Sequence, residues 1–118
     1  MSTNIEIFRT LHQGPKLVLL PNCWDAASAR LFESLGAAAM ATTSAGTSWS
    51  LGYPDANAVP RDALVAAVRA IARVVRVPLS VDVEVGYSDD PGTVGETVAA
   101  IVGAGAVGIT PQGRHRHP

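Results

Sequence analysis

Apolar positions along the chain follow two rhythms. Short runs at Leu17-Val18-Leu19-Leu20, Ala38-Ala39-Met40-Ala41, Leu79-Ser80-Val81-Asp82-Val83 and Ala106-Val107-Gly108-Ile109 have the length and content of strands. The segments between them carry helical spacing. From Arg61 to Arg76, Leu64, Val68, Ile71 and Val75 recur on one side, and Arg61, Asp62, Arg69, Arg73 and Arg76 fall largely on the other. That pattern predicts an amphipathic helix packed on the sheet. Asp90-Pro91 reads as an N-cap followed by proline at the first helical position. Val94, Val98, Ile101 and Val102 are the expected apolar face of that helix, and Gly103 or Gly105 its end. Asp25 can cap a helix through about Leu35, stopped at Gly36, and a shorter amphipathic segment, Ile5 to His12, precedes the first strand. Strands alternating with helices predict a parallel α/β sheet with right-handed crossovers, here four strands and three intervening helices. From length alone, a small doubly wound domain fits this rhythm.

One connection departs from it. Residues 42–60, TTSAGTSWSLGYPDANAVP, show neither period and read as a long loop after the second strand. Such loops are usually functional when ordered, and this one lies at the C-terminal edge of the sheet, where parallel α/β proteins bind ligands. Trp49, Leu51 and Tyr53 suggest that it packs rather than floats.

Composition narrows the class. Hydrophobic residues make up 47% of the 118 and charged residues 16%, a balance suited to a core rather than to disorder. A net charge of −1 offers no electrostatic case for nucleic acid, and no apolar run approaches a membrane span. The N-terminus lacks the basic and apolar regions of a signal peptide. Cys23 is the single cysteine, so no internal disulfide forms, in keeping with a cytoplasmic protein.

The third strand carries the sharpest chemistry. Leu79, Val81, Val83 and Val85 alternate with Ser80, Asp82 and Glu84, which puts two carboxylates on one face. Strands of parallel sheets are normally apolar on both sides, and buried carboxylates are costly unless paired, protonated or bound to a cation. Mg2+ suits the pair, because it takes one or two carboxylates and keeps several waters. A half-exposed strand with a wet polar face is the alternative. Gly86 lets the chain turn after the pair, Asp55 in the long loop lies on the same edge, and Thr42-Thr43-Ser44-Ala45-Gly46 forms a hydroxyl-rich turn that can present N–H groups to an anion.

These stretches resemble the isocitrate lyase/phosphoenolpyruvate mutase superfamily, in its phosphoenolpyruvate phosphonomutase-like branch. The resemblance rests on Leu20 to Ala29, on Thr43-Ser44-Ala45-Gly46 through Ser50-Leu51-Gly52-Tyr53-Pro54-Asp55, on Val81 to Tyr87, and on Gly105 to Ile109. It implies a (β/α)8 barrel, of which residues 1–109 would supply the first four strands, and an Mg2+-dependent lyase or mutase acting on C–C or C–P bonds of an α-oxoacid substrate. It further implies that Asp82 ligates the metal and contacts substrate, that Asp55 is a catalytic residue and with Glu84 holds metal-bound waters, and that Thr43, Ser44 and Ala45 line the carboxylate or phosphoryl site. Asn22 and Trp24 would shape the first βα loop, and Cys23 would be a packed residue rather than the family's catalytic cysteine. Relatives of full length would be homo-oligomers.

Such a barrel takes about 250 residues. Where the family continues into an acidic fourth-strand segment, this sequence reads Thr110-Pro111-Gln112-Gly113-Arg114-His115-Arg116-His117-Pro118, an irregular tail consistent with truncation or a frameshift. The general acid/base would lie in the absent half, so the 118-residue chain is expected to be inactive. A non-catalytic fragment or pseudoenzyme is one alternative reading. A doubly wound binding module is another, although Pro21-Asn22-Cys23-Trp24 lacks the glycine pattern a dinucleotide turn needs.

Overall fold

Four parallel strands form one sheet in the order in which the chain visits them: β1 (Asn22–Cys23), β2 (Met40–Thr42), β3 (Leu79–Glu84) and β4 (Gly108–Pro111). The computed structural model describes residues 3–54, 58–84 and 90–111, apart from the side chains of Glu84, Thr110 and Pro111. The register sets Cys23 beside Thr42, Met40 beside Leu79, and Val81 beside Ile109. An order without reversal is that of a barrel wall. A doubly wound sheet would turn back at a switch point, so that reading is corrected.

Among the described residues five α-helices accompany the sheet: α1 (Asn4–Gln13), α2 (Ala26–Ser34), α3 (Ser44–Ser50), α4 (Arg61–Val74) and α5 (Pro91–Gly103). Local chemistry sets most of their ends. Thr3 and Glu6 form a capping box at α1, and Asp25 and Ser28 form one at α2. Asp90 accepts the Thr93 N–H ahead of Pro91. Gly36 adopts φ 101°, as a residue beyond a helix end often does.

The core lies between the sheet and the helices. Leu79, Val81 and Val83 of β3 join Met40, Cys23, Leu64, Val68, Ile71 and Ile101 in one buried cluster. Alternation then turns Ser80 and Asp82 to the opposite face of β3. The backbone of a single residue ties three elements together on the outside. The Arg76 N–H donates to Glu33 of α2, and the Arg76 carbonyl accepts from Asn4 Nδ2 of α1 at 3.0 Å.

Several expectations need correction. The segment 42–60 is not a structureless loop, because α3 occupies Ser44–Ser50. Trp49 and Leu51 are exposed there rather than packed, while Tyr53 does pack against the core. Leu17–Leu20 is not the first strand. Pairing begins at Asn22, and Leu17 and Leu19 are 87% and 74% exposed. The second strand begins at Met40 rather than Ala38. Helix α4 ends at Val74, leaving Val75 as a half-buried C-cap, and Val102 of α5 is exposed where Thr97 is buried. Among the described residues four helices, not three, lie between the strands, because α3 and α4 share one connection. Strand β4 runs on through Thr110 and Pro111, and proline is tolerated there because β4 is the edge of the described sheet.

Candidate functional site

Asp82 sits near the C-terminal end of β3, half-buried, with core residues Val81 and Val83 on either side turned to the helices. Its backbone N–H donates to Thr42 Oγ1 at 3.0 Å. That hydroxyl is buried at the end of β2, so it fixes the height of β2 against β3 just where both strands end. The ladder to β4 is irregular at the same level. Asp82 stands beside Thr110 and Glu84 beside Pro111, which leaves an extra β3 residue between the two acidic positions. Bulges of this kind re-aim side chains and are common beside active sites.

Beyond Thr42 the chain enters α3 directly. Thr43 is its N-cap, and its Oγ1 accepts the Gly46 N–H at 3.3 Å. The hydroxyl-rich turn expected at 42–46 is therefore the cap and first turn of a helix, with Ser44 and Ala45 at its N-terminal end. The N–H groups of a helix's first turn have no partners within the helix. The position of Gly46 admits no side chain, since a Cβ there would lie 2.7 Å from Thr43 Cγ2 and 3.0 Å from Trp24 Cβ. Trp24, at the end of β1, thus packs flush against α3, and Ser50 Oγ donates to the Trp24 carbonyl at 3.3 Å. Trp24 also meets Phe32 edge to face, with ring centroids 6.1 Å apart.

Of the residues singled out in the sequence, Asp82 stands near the end of β3 with its N–H on Thr42, and Thr43, Ser44 and Ala45 follow Thr42 as the cap and first turn of α3. Glu84 is placed only by its backbone, two positions on in β3. Asp55, Gly86 and Tyr87 lie outside the described residues. Among the described residues no group of three or more His, Cys, Asp or Glu side chains is assembled. The donors that are present are hard oxygens. Cys23 belongs to the core on the helix side, and burial pushes its thiol up to about 11, so it offers no soft ligand at this edge. Such a donor set fits Mg2+, which needs few protein carboxylates.

Phe8 is a neighbour of this face that the sequence reading missed. A Cβ at Gly108 would lie 2.9 Å from Phe8 Cε1 and 3.0 Å from Ser80 Oγ, so α1 reaches across the N-terminal end of the Asp82 face. Gly108 inside a strand was the available signal, since glycine there often marks a close approach by another group.

The family model for phosphoenolpyruvate phosphomutase matches residues 8–111. The chain belongs to this family. An uncharacterized protein of Mycobacterium tuberculosis is 43% identical over 94 residues, which are 80% of this chain and 36% of that protein. The crystal structure of a candidate lyase/mutase from Burkholderia cenocepacia superposes with a TM-score of 0.87 at 44% identity, over 94% of this chain and 41% of the other. A phosphonopyruvate hydrolase solved with oxalate and Mg2+ superposes with a TM-score of 0.82 at 26% identity, over 92% of this chain and 38% of the other. The phosphomutase-family chain is thus an α/β unit of four parallel strands that spans about two fifths of the TIM-barrel enzymes it matches. Among the described residues, no helix is long and apolar enough to cross a membrane.

Proposed function

We propose that this chain supplies the Mg2+- and carboxylate-binding wall of a lyase or mutase that acts on a C–C or C–P bond of an α-oxoacid. The observation that carries this reading is the position of Asp82, on the face of β3 turned away from the core and tied to Thr42, the residue from which the chain enters the cap of α3. The oxalate and Mg2+ bound by the phosphonopyruvate hydrolase are the kind of ligand such an edge suits. Asp82 would hold the metal directly, with Glu84 and Asp55 holding its waters. Bound there, Mg2+ would supply a Lewis acid to the oxygens of the oxoacid. Thr43, Ser44 and Ala45 would face the carboxylate or phosphoryl end, where N–H donors at a helix start favour negative charge. Trp24 and Gly46 would set the position of α3 without touching the reacting atoms. Thr42 would hold β3 at the height that presents Asp82.

The 118 residues are not expected to turn an oxoacid over efficiently on their own. A non-catalytic ligand-binding element is the second reading. A missing proton-transfer group typically costs about 10²–10⁴-fold in rate. The test is to assay the purified chain and its Asp82→Ala variant with Mg2+ on oxaloacetate, phosphonopyruvate and methylisocitrate. Baseline rates from both, with activity appearing only when the rest of a family barrel is supplied to the parent chain, support the lyase reading. Ordinary turnover that Asp82→Ala abolishes keeps the site and refutes the inactivity. Activity that survives Asp82→Ala refutes the site.

A further inference from the structure

Thr42 stands between two strands and is held by one of them. Its neighbours Ala41 and Thr43 donate their N–H groups to the Pro21 and Cys23 carbonyls, at 3.1 and 2.9 Å. Those two bonds pin Thr42 in register with Cys23 of β1. On its other side the main-chain pairing of β2 with β3 reaches Ala41 and Ser80. Two positions further along β3, the Asp82 N–H donates to the Thr42 hydroxyl, where a regular ladder would offer a main-chain carbonyl. Thr42 is only 6% exposed, so water competes little for that bond. On the β4 side the register shifts between Asp82 and Glu84, so pairing there imposes no regular height on Asp82. The hydroxyl is therefore the point at which β1 and β2 pass their position to the acidic end of β3.

We infer that Thr42 is a positioning residue for the cation site, its hydroxyl setting metal affinity through the Asp82 backbone. The inference rests on Asp82 being the metal ligand, as proposed above. Threonine suits the task because its branched side chain is stiff at χ1, which fixes the oxygen that accepts the N–H. Without that acceptor the Asp82 N–H must turn to water or to another partner, and the residue that carries it turns too. Valine keeps the shape of threonine and removes the acceptor. Serine keeps the acceptor and removes the methyl. Loss of a group that orients a metal ligand typically costs about 10–100-fold in metal affinity.

The test is a Mn2+ titration of the 118-residue chain, with free ion counted by electron paramagnetic resonance and the Asp82 amide followed by hydrogen exchange. Thr42→Val should weaken binding by about 10–100-fold and speed exchange of that amide. Thr42→Ser should bind like the parent, and the circular dichroism of both variants should keep its α/β shape. Parent-like affinity in Thr42→Val overturns the inference. So does a Thr42→Ser variant that binds as weakly as Thr42→Val, since packing of the methyl would then be the cause. Should Thr42→Val fail to fold, the Asp82 amide decides. Protection in the parent that Thr42→Ser preserves supports the inference, and exchange as fast as that of an exposed amide overturns it. Asp82→Asn separates the inference from the reading beneath it. Binding that Asp82→Asn leaves unchanged refutes the cation reading and the inference with it, whereas binding lost in Asp82→Asn and kept in Thr42→Val refutes the role of Thr42 alone.

Discussion

Removing the Glu33 carboxylate should loosen the outside of the fold by an amount the structure allows to be worked out. Glu33, near the end of α2, accepts the N–H of Arg76 and, at 3.2 Å, that of Val77, both in the link between α4 and β3. These bonds, the Arg76 one first, hold its carboxyl below the ordinary 4.5, with a smaller contribution from Arg30. Charge-assisted hydrogen bonds contribute about 1.5–3 kcal/mol each in general, and a pair sharing one partly solvated carboxylate gives less than their sum. The Arg30 contact adds little, because that guanidinium side chain is 65% exposed. Glu33→Ala should therefore cost about 2 kcal/mol, or roughly 8 °C of melting temperature for a domain of this size. Because the folded-state value is lowered, the contribution is present above the unfolded value and fades as pH falls through the folded one. Glu33→Gln keeps an acceptor but removes the charge, so its deficit against the parent should shrink steadily below about pH 4.5. Urea unfolding followed by Trp24 and Trp49 fluorescence, at neutral pH and in acid, measures both effects. A Glu33→Ala change within about 0.5 kcal/mol of the parent, the size of an ordinary surface substitution, would refute the reasoning. So would an acid dependence that Glu33→Gln leaves untouched.

Gly108→Ala should destabilise by about 1–3 kcal/mol through overpacking, because its methyl would crowd Phe8 and Ser80; the cost should fall in a Phe8→Leu background, as thermal melts of the two pairs would show. Cys23, buried and with its thiol raised to about 11, should react with a soluble disulfide reagent at neutral pH no faster than the chain unfolds, and a rapid reaction in the native state would contradict its place in the core.

How far the sequence could be read depended on whether local or distant chemistry set each element. Helix α4 was legible because Leu64, Val68 and Ile71 keep one period over fourteen residues and all end up buried. Asp82 was legible for a similar reason: strict alternation with Val81 and Val83 forces it away from the helices. Helix α3 was not, since SAGTSWS has no apolar face and weak helix formers. It is held by its Thr43 cap and by Trp24 from another strand, neither of which has a periodic signature. The first strand was misplaced because Leu17–Leu20 is far more apolar than Asn22–Cys23. Composition reports what a segment could bury, whereas pairing depends on a neighbour, and β2 meets the chain only from the Pro21 carbonyl onward. Phe8 escaped because its partner surface, at Gly108 and Ser80, is remote in sequence.

The central claim is that Asp82 forms part of a divalent cation site at the C-terminal edge of β3. Mn2+, as a paramagnetic stand-in for Mg2+, tests it by nuclear magnetic resonance on the isotope-labelled chain. Broadening should centre on the amides of Thr42 to Ala45 and Ser80 to Glu84, reverse when Mg2+ is added in excess, and vanish in Asp82→Asn while the remaining spectrum stays folded. Broadening centred elsewhere, or unchanged in Asp82→Asn, would contradict the account.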